Sequence, residues 1–268
     1  MQCDKCRDDA VYFQAYSGRY LCGRHLVLDI ENRAKHSIRS HQWMSSGDHI
    51  AVPVSGDRKS AALLFFLKKL TADRRDIRLS AVPACKENDM GETPSAARTV
   101  SESLRIPWSD MPRTGGPGTA AQEKVTKVAL AISLDDIAQG ILGEFLFGNA
   151  GRLVHPRPGG SSLATVICPF ITVPSDELDL YWDCQGTGIG LVSSSPRRKS
   201  MLKDTAVFLE EYSHRHPATK FALLHLWEQF SNGNTAALPF TDTEGAGSGE
   251  GTQGINRCCG DEVTGRGS

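Results

Sequence analysis

From residue 26 onward the apolar residues Leu26, Ile30, Ala34 and Ile38 return at every fourth position, which predicts an amphipathic helix burying a single stripe between 26 and 43. The polar positions around that stripe are largely basic: Arg24, Arg33, Lys35, His36, Arg39 and His41. From His49 the texture changes to short apolar runs alternating with helical patterns. Ile50 to Val54 reads as a buried strand, Lys59 to Thr71 as a helix, Ile77 to Val82 as a second strand and Thr93 to Leu104 as a further helix. Val125 to Ile132 reads as a third strand running into a helix from Asp135 to Phe147. Ser161 to Val173 is strand-like, and helices are expected over Pro174 to Asp183, Arg198 to His216 and Ala218 to Phe230. Strands alternating with helices predict an α/β domain whose parallel sheet is wrapped by helices. Pro107 to Gly118 and residues 155–162 are Pro/Gly-rich connections, and Thr241 to Gly254, almost wholly Gly, Ser, Thr and Glu, has a linker's composition.

Composition narrows the function classes. The chain has 268 residues, 40% of them hydrophobic, and a formal net charge of −1. That allows one large domain, or a medium domain with attachments, and excludes a simple polybasic binder. Thirty Lys and Arg nearly balance thirty-one Asp and Glu, so any contact with nucleic acid must come from a local basic face. No apolar run approaches eighteen residues and the chain opens Met-Gln-Cys-Asp-Lys-Cys, so a soluble, cytoplasmic protein with no membrane partner is expected.

Eight cysteines are unevenly placed, three of them within the first twenty-two residues. Cys3-x-x-Cys6 followed by Cys22-x-x-His25 has the spacing of two knuckles around one tetrahedral ion. A closed four-donor set of this kind predicts structural zinc, with Tyr12, Phe13, Tyr16 and Tyr20 covering the metal. Cys85, Cys168 and Cys184 are single and lie in or beside apolar runs, as small core residues do. The turn Val54-Ser55-Gly56-Asp57-Arg58-Lys59-Ser60 joins a strand to a helix. Backbone N–H groups and a helix N-terminus would point there at one spot, which suits either a packing turn or a phosphate cradle. Arg33, Lys35 and Arg39 on the basic helix suit an RNA backbone or an ordinary solvated face. Arg197 and Arg198, with Lys199, begin a helix where cations oppose the dipole, so an anionic partner there would relieve the opposition.

The ordered set of these features resembles the PP-loop ATP pyrophosphatases that 2-thiolate tRNA uridines. It comprises the Cys/His module, the basic helix, the strand ending in Ser55-Gly56, and Thr126-Lys-Val-Ala-Leu-Ala-Ile-Ser-Leu-Asp135-Asp136-Ile-Ala-Gln139. The resemblance runs on through Arg152-Leu153, Ile171 to Tyr181 and Ser195-Pro196. It implies a Rossmann-like parallel sheet of PP-loop type over 48–231, a zinc module over 1–25, a basic connecting helix over 26–47 and a tail over 232–268 carrying a degenerate second zinc module at Cys258-Cys259. In function it implies ATP with Mg²⁺, held by Val54, Ser55, Gly56, Arg58, Ser60, Asp135 and Asp136, and adenylation of the uracil 2-oxygen before sulfur transfer. tRNA, a sulfur-carrier protein and a homodimer are the partners it implies.

Besides the degenerate second zinc module, the chain departs from that family at its loop and at its cluster cysteines. Where the family loop reads Gly-Lys-Asp this chain reads Asp57-Arg58-Lys59, which brings in a carboxylate and reverses the charge at the last position. The cysteines that bind the family's iron–sulfur cluster are missing from Pro107 to Gly116 and replaced in Ser193-Ser-Ser-Pro196; serine is a poorer cluster ligand than thiolate, so no cluster is expected. Two readings follow: a tRNA sulfurtransferase taking sulfur directly from an external carrier, or a non-catalytic paralogue serving as an RNA- or protein-binding regulatory subunit.

Overall fold

The computed structural model describes residues 1–84, 93–109, 125–149, 164–193 and 200–230. A short antiparallel hairpin, β1 (Tyr12–Gln14) and β2 (Arg19–Leu21), precedes α1 (Gly23–Ser40). The hairpin reverses at Gly18, whose φ of +67° is open to glycine at little cost. Leu26, Ile30, Ala34 and Ile38 are all buried on α1, as their spacing requires.

The remaining chain alternates β3 (His49–Val54), α2 (Arg58–Thr71), β4 (Arg78–Pro83), α3 (Thr93–Ser103), β5 (Lys127–Ala129), α4 (Leu134–Leu146), β6 (Thr165–Ile167), α5 (Ser175–Cys184), α6 (Ser200–Arg215) and α7 (Thr219–Phe230). The four strands form one parallel sheet in the order β4-β3-β5-β6. Ile50, Ala51, Val52 and Val54 of β3 are all buried, as expected when helices cover both faces of a parallel sheet. α5 packs against both α1 and α2, and α4 packs against α6 and α7.

Two strands are shorter than their apolar runs predicted. After Ala129 the chain leaves the sheet for the cap of α4 at Ser133. After Ile167 the chain from Cys168 to Val173, buried except at Thr172, forms tight turns, with Ile171 N–H bonding Cys168 C=O at 3.1 Å and Val173 N–H bonding Phe170 C=O at 2.8 Å. An apolar run alone does not separate a strand from a buried turn.

β3 hands its chain outward to β4, whereas β5 hands its chain the other way to β6. The strand order therefore reverses between β3 and β5. In open α/β sheets ligands bind in the crevice outside the carboxyl ends of the strands at such a reversal. Both the Ser55–Ser60 turn and the Ser133–Asp136 helix start lie at that place.

Candidate functional site

The N-terminal donors are brought together by two local devices. The first is a knuckle in which Cys3 N–H bonds Asp8 C=O at 2.9 Å and Lys5 N–H points at Cys3 Sγ at 3.4 Å. The second is the start of α1, where Cys22 is the N-cap and His25 lies in the first turn. Cys6 Sγ is 3.6 Å from Cys22 Sγ, and His25 Nδ1 is 3.3 Å from Cys22 Sγ and 3.5 Å from Cys3 Sγ. All four donor atoms lie within 4.8 Å of one another. Donors bound at about 2.0–2.3 Å from a single tetrahedral ion stand about 3.3–3.8 Å apart, so the set fits one ion. Burial opposes the Cys3 thiolate, but the backbone N–H groups of Cys22 and Lys5 outweigh it and bring the thiol down to about 6. A lowered thiol favours the form that binds metal.

Of the tyrosines expected to cover this metal, Tyr12 and Tyr16 send their hydroxyl groups to α5. Tyr12 donates to Asp176 Oδ2 at 2.6 Å and Tyr16 to Glu177 Oε1 at 2.7 Å, both on the first turn of α5. Gln14 Nε2 adds a bond to Glu177 Oε1 at 3.1 Å. Arg33 completes the joint, pairing with the Glu177 carboxylate, with Asp29 at 3.1 Å and with the Thr172 carbonyl at 3.0 Å. Burial works against the Arg33 charge, yet Glu177 and Tyr16 hold its guanidinium above the ordinary value.

At the sheet reversal, Gly56 adopts φ +82° and lets the chain turn from β3 into α2. Ser60 Oγ receives Ser55 N–H at 3.3 Å and Ser55 Oγ at 3.2 Å, folding the turn upon itself. Asp57 is the N-cap of α2, its Oδ1 accepting Ser60 N–H at 2.9 Å. Across the crevice, Ser133 and Asp136 form a capping box at the start of α4. Lys59 Nζ bridges the two walls, 2.8 Å from Asp136 Oδ2. Burial raises Asp136, but Lys59 and the Ser133 donors outweigh it and hold the carboxyl below the usual range. Asp135 accepts Ser175 N–H at 2.6 Å and Lys220 Nζ at 2.5 Å, and Ser133 Oγ lies 2.8 Å from Ser175 Oγ. Arg58 turns aside, its Nε on Leu191 C=O at 2.9 Å and Nη1 on Asp183 at 3.1 Å.

Of the residues expected to hold nucleotide, Ser55, Gly56, Ser60, Asp135 and Asp136 converge on the crevice; Val54 is buried beneath it and Arg58 points to the 183–191 segment. Lys59 bonds Asp136 there, and Lys220 and Ser175, which bond Asp135, were not among the residues expected at the crevice. The Ser133-x-x-Asp136 box was readable from its spacing, whereas Lys220 carries no local signal. Among the residues expected to meet RNA, Arg33 is committed to internal partners. Lys35 lies 3.6 Å from Glu31, and Arg39 is exposed in the last turn of α1. Arg197 and Arg198 lie outside the described residues, as do Cys85, Cys258 and Cys259. Cys168 is buried as expected; Cys184 is exposed at the end of α5.

The fold and its sites define a class: a switch-point α/β domain preceded by a four-donor metal module. Residues 2–27 match the N-terminal LIM domain of the 2-thiouridine synthetase TtuA. A probable sulfurtransferase of Methanocaldococcus jannaschii is 23% identical over 84% of this chain and 76% of its own length. The tRNA 2-thiolation protein NcsA of Haloferax volcanii is 49% identical over 44 residues, 16% of this chain and 14% of that protein. The U34-tRNA thiolase NcsA from Methanococcus maripaludis, solved with its [4Fe-4S] cluster, superimposes with a TM-score of 0.72 at 18% identity, covering 87% of each chain. The chain is thus similar to PP-loop tRNA 2-thiolation proteins in its N-terminal module, over most of its sequence and in its fold.

The expectation that no iron–sulfur cluster is bound is overturned by that last structure, in which a protein of this fold carries one. The expectation rested on missing cysteines in 107–116 and on serine in 193–196, of which 110–116 and 194–196 lie outside the described residues. It also set aside Cys3, Cys6 and Cys22, three clustered thiols of the kind clusters use. No helix among the described residues is long and apolar enough to cross a membrane.

Proposed function

We propose that this chain binds ATP in the crevice between β3 and β5 and adenylates the 2-oxygen of a tRNA uridine, which sulfur then replaces. The observation that carries the reading is the placement of the Ser55–Ser60 turn and the Ser133–Asp136 helix start on opposite walls of the strand-order reversal, bridged by Lys59. Its relatives' names point to the same reaction class. Attack by the uracil oxygen on the α-phosphorus forms a P–O bond and expels pyrophosphate. A thiocarboxylate on a carrier protein next attacks the C2 carbon, AMP leaves with the former oxygen, and water then cleaves the resulting acyl–sulfur bond, leaving sulfur on the base and a carboxylate on the carrier. The part played by the protein is positional and electrostatic: turn N–H groups and lysine ammonium groups offset phosphate charge in a partly dry crevice. In this scheme Arg39, exposed in the last turn of α1, is one of the cations that a tRNA backbone would meet. Residues 1–25 hold structural zinc, in keeping with donor separations that suit one ion.

A second reading, a non-catalytic regulatory paralogue, is favoured by one observation: Asp57 already occupies the N-terminal donor of Ser60, and Arg58 is turned toward Asp183. Incubating the full chain with bulk tRNA and α-labelled ATP separates the two. Label transferred to tRNA with release of pyrophosphate is expected; tight ATP binding without transfer would favour the regulatory subunit, and no heat on titration with millimolar ATP would sink the nucleotide reading.

A further inference from the structure

The Mg²⁺ implied by the resemblance has Asp135 and Asp136 as its natural ligands, but the residues present do not fit it. A divalent cation in a nucleotide site is held by one or two carboxylates together with substrate phosphates and water. Here Asp136 Oδ2 already accepts Lys59 Nζ at 2.8 Å, Ser133 N–H at 3.0 Å and Ser133 Oγ at 2.7 Å. Asp135 spends Oδ1 on Lys220 Nζ at 2.5 Å and Oδ2 on Ser175 N–H at 2.6 Å. Both lysines are shielded, with side chains 11% and 15% exposed. Two carboxylates and two ammonium groups carry the same total charge as two carboxylates and one divalent ion. To reach Asp135 Oδ1 or Asp136 Oδ2, a metal ion would have to displace an ammonium group that is already paired and largely out of water.

Building on the nucleotide reading above, we infer that Lys59 and Lys220 stand in for the divalent cation, so that this chain holds nucleotide phosphates without Mg²⁺. Lys59 sits in the first turn of α2 directly before Ser60, on the loop side of the crevice. An ammonium group carries three donors. One goes to Asp136, and on this inference the others go to phosphate oxygens arriving at the turn. Lys220 reaches the same wall from α7 and is anchored a second time by Glu210 at 2.8 Å.

The test titrates the full chain with ATP by calorimetry, once with excess Mg²⁺ and once with EDTA, alongside the variants Lys59→Gln and Lys59→Asp. The wild-type Kd is expected to agree within about twofold between the two conditions, because no protein-bound cation is lost. Lys59→Asp is expected to bind at least tenfold more weakly in EDTA and to recover with Mg²⁺. Lys59→Gln, which keeps a neutral donor should the aspartate variant fail to fold, is expected to lose affinity under both conditions. Wild-type affinity that falls tenfold or more in EDTA overturns the inference and leaves the nucleotide site standing. ATP that binds under neither condition defeats the nucleotide reading itself. A second arm reads the cation alone, by the paramagnetic signal of Mn²⁺ mixed with wild-type protein: no binding at millimolar Mn²⁺ is expected, and stoichiometric binding abolished by Asp136→Asn overturns the inference whatever ATP does.

Discussion

Replacing Arg33 by alanine tests how the metal module is fixed to the sheet domain. Its guanidinium pairs with Glu177, whose side chain is fully buried, and the pair joins α1 to α5. Removing one partner of a buried ion pair costs about 3–5 kcal/mol, because the remaining charge has lost its counter-ion and its water. Glu177 would keep Tyr16 at 2.7 Å and Gln14 at 3.1 Å as donors, which places the cost near the lower bound, about 3 kcal/mol. For a chain of this size each kcal/mol lowers Tm by about 2–4 °C, so Arg33→Ala should melt about 6–12 °C below wild type. Adding Glu177→Gln removes the stranded charge while keeping acceptors for Tyr16 and Gln14, and should recover part of that loss; the double-mutant cycle then gives the coupling directly. Thermal unfolding of the metal-loaded protein, with urea titration as a second measure, reads all four species. A loss below about 1 kcal/mol for Arg33→Ala, the size expected of an exposed pair, would refute the buried joint.

Cys22→Ser exchanges a thiolate for a neutral hydroxyl at both the second knuckle and the cap of α1, and should abolish stoichiometric metal binding and expose residues 1–22 to protease. Metal content by atomic emission unchanged from wild type would refute the four-donor site. The Asp136 carboxyl sits below its ordinary range, so its share of stability is present above the unfolded value of about 3.9 and is lost as the pH falls through that value toward the folded one. Urea unfolding at pH 6 and pH 3 should therefore show a smaller acid loss for Asp136→Asn than for wild type, and equal losses would remove Asp136 from the account.

What could be read in advance was whatever repeats over short distances. Leu26, Ile30, Ala34 and Ile38 announced α1 because one helical turn separates neighbours along the stripe. The Cys3, Cys6, Cys22 and His25 set was legible because knuckle spacing is itself the ligand geometry. The bonds that make the crevice were not legible: Lys59 meets Asp136 across 77 positions, Lys220 meets Asp135 across 85, and Arg33 meets Glu177 across 144. A salt bridge of that span leaves no trace in local pattern, so Arg33 read as one more cation on a basic face. Asp57 shows a related failure. In the sequence it stood only as a carboxylate brought into the loop, whereas in the fold it is a helix cap.

The joint between the hairpin and α5 also sets an order of events during synthesis. The four donors Cys3, Cys6, Cys22 and His25 lie within the first twenty-five residues, so an ion at that site can be captured while most of the chain is still unmade. Tyr16 and Glu177, however, are 161 positions apart. At about 5–20 residues per second the ribosome needs about 8–30 s more before the module's docking partner exists. Through that interval Tyr12, Tyr16 and Arg33 stand without their partners on α5, a period in which the nascent chain offers an open polar face to whatever assists its folding.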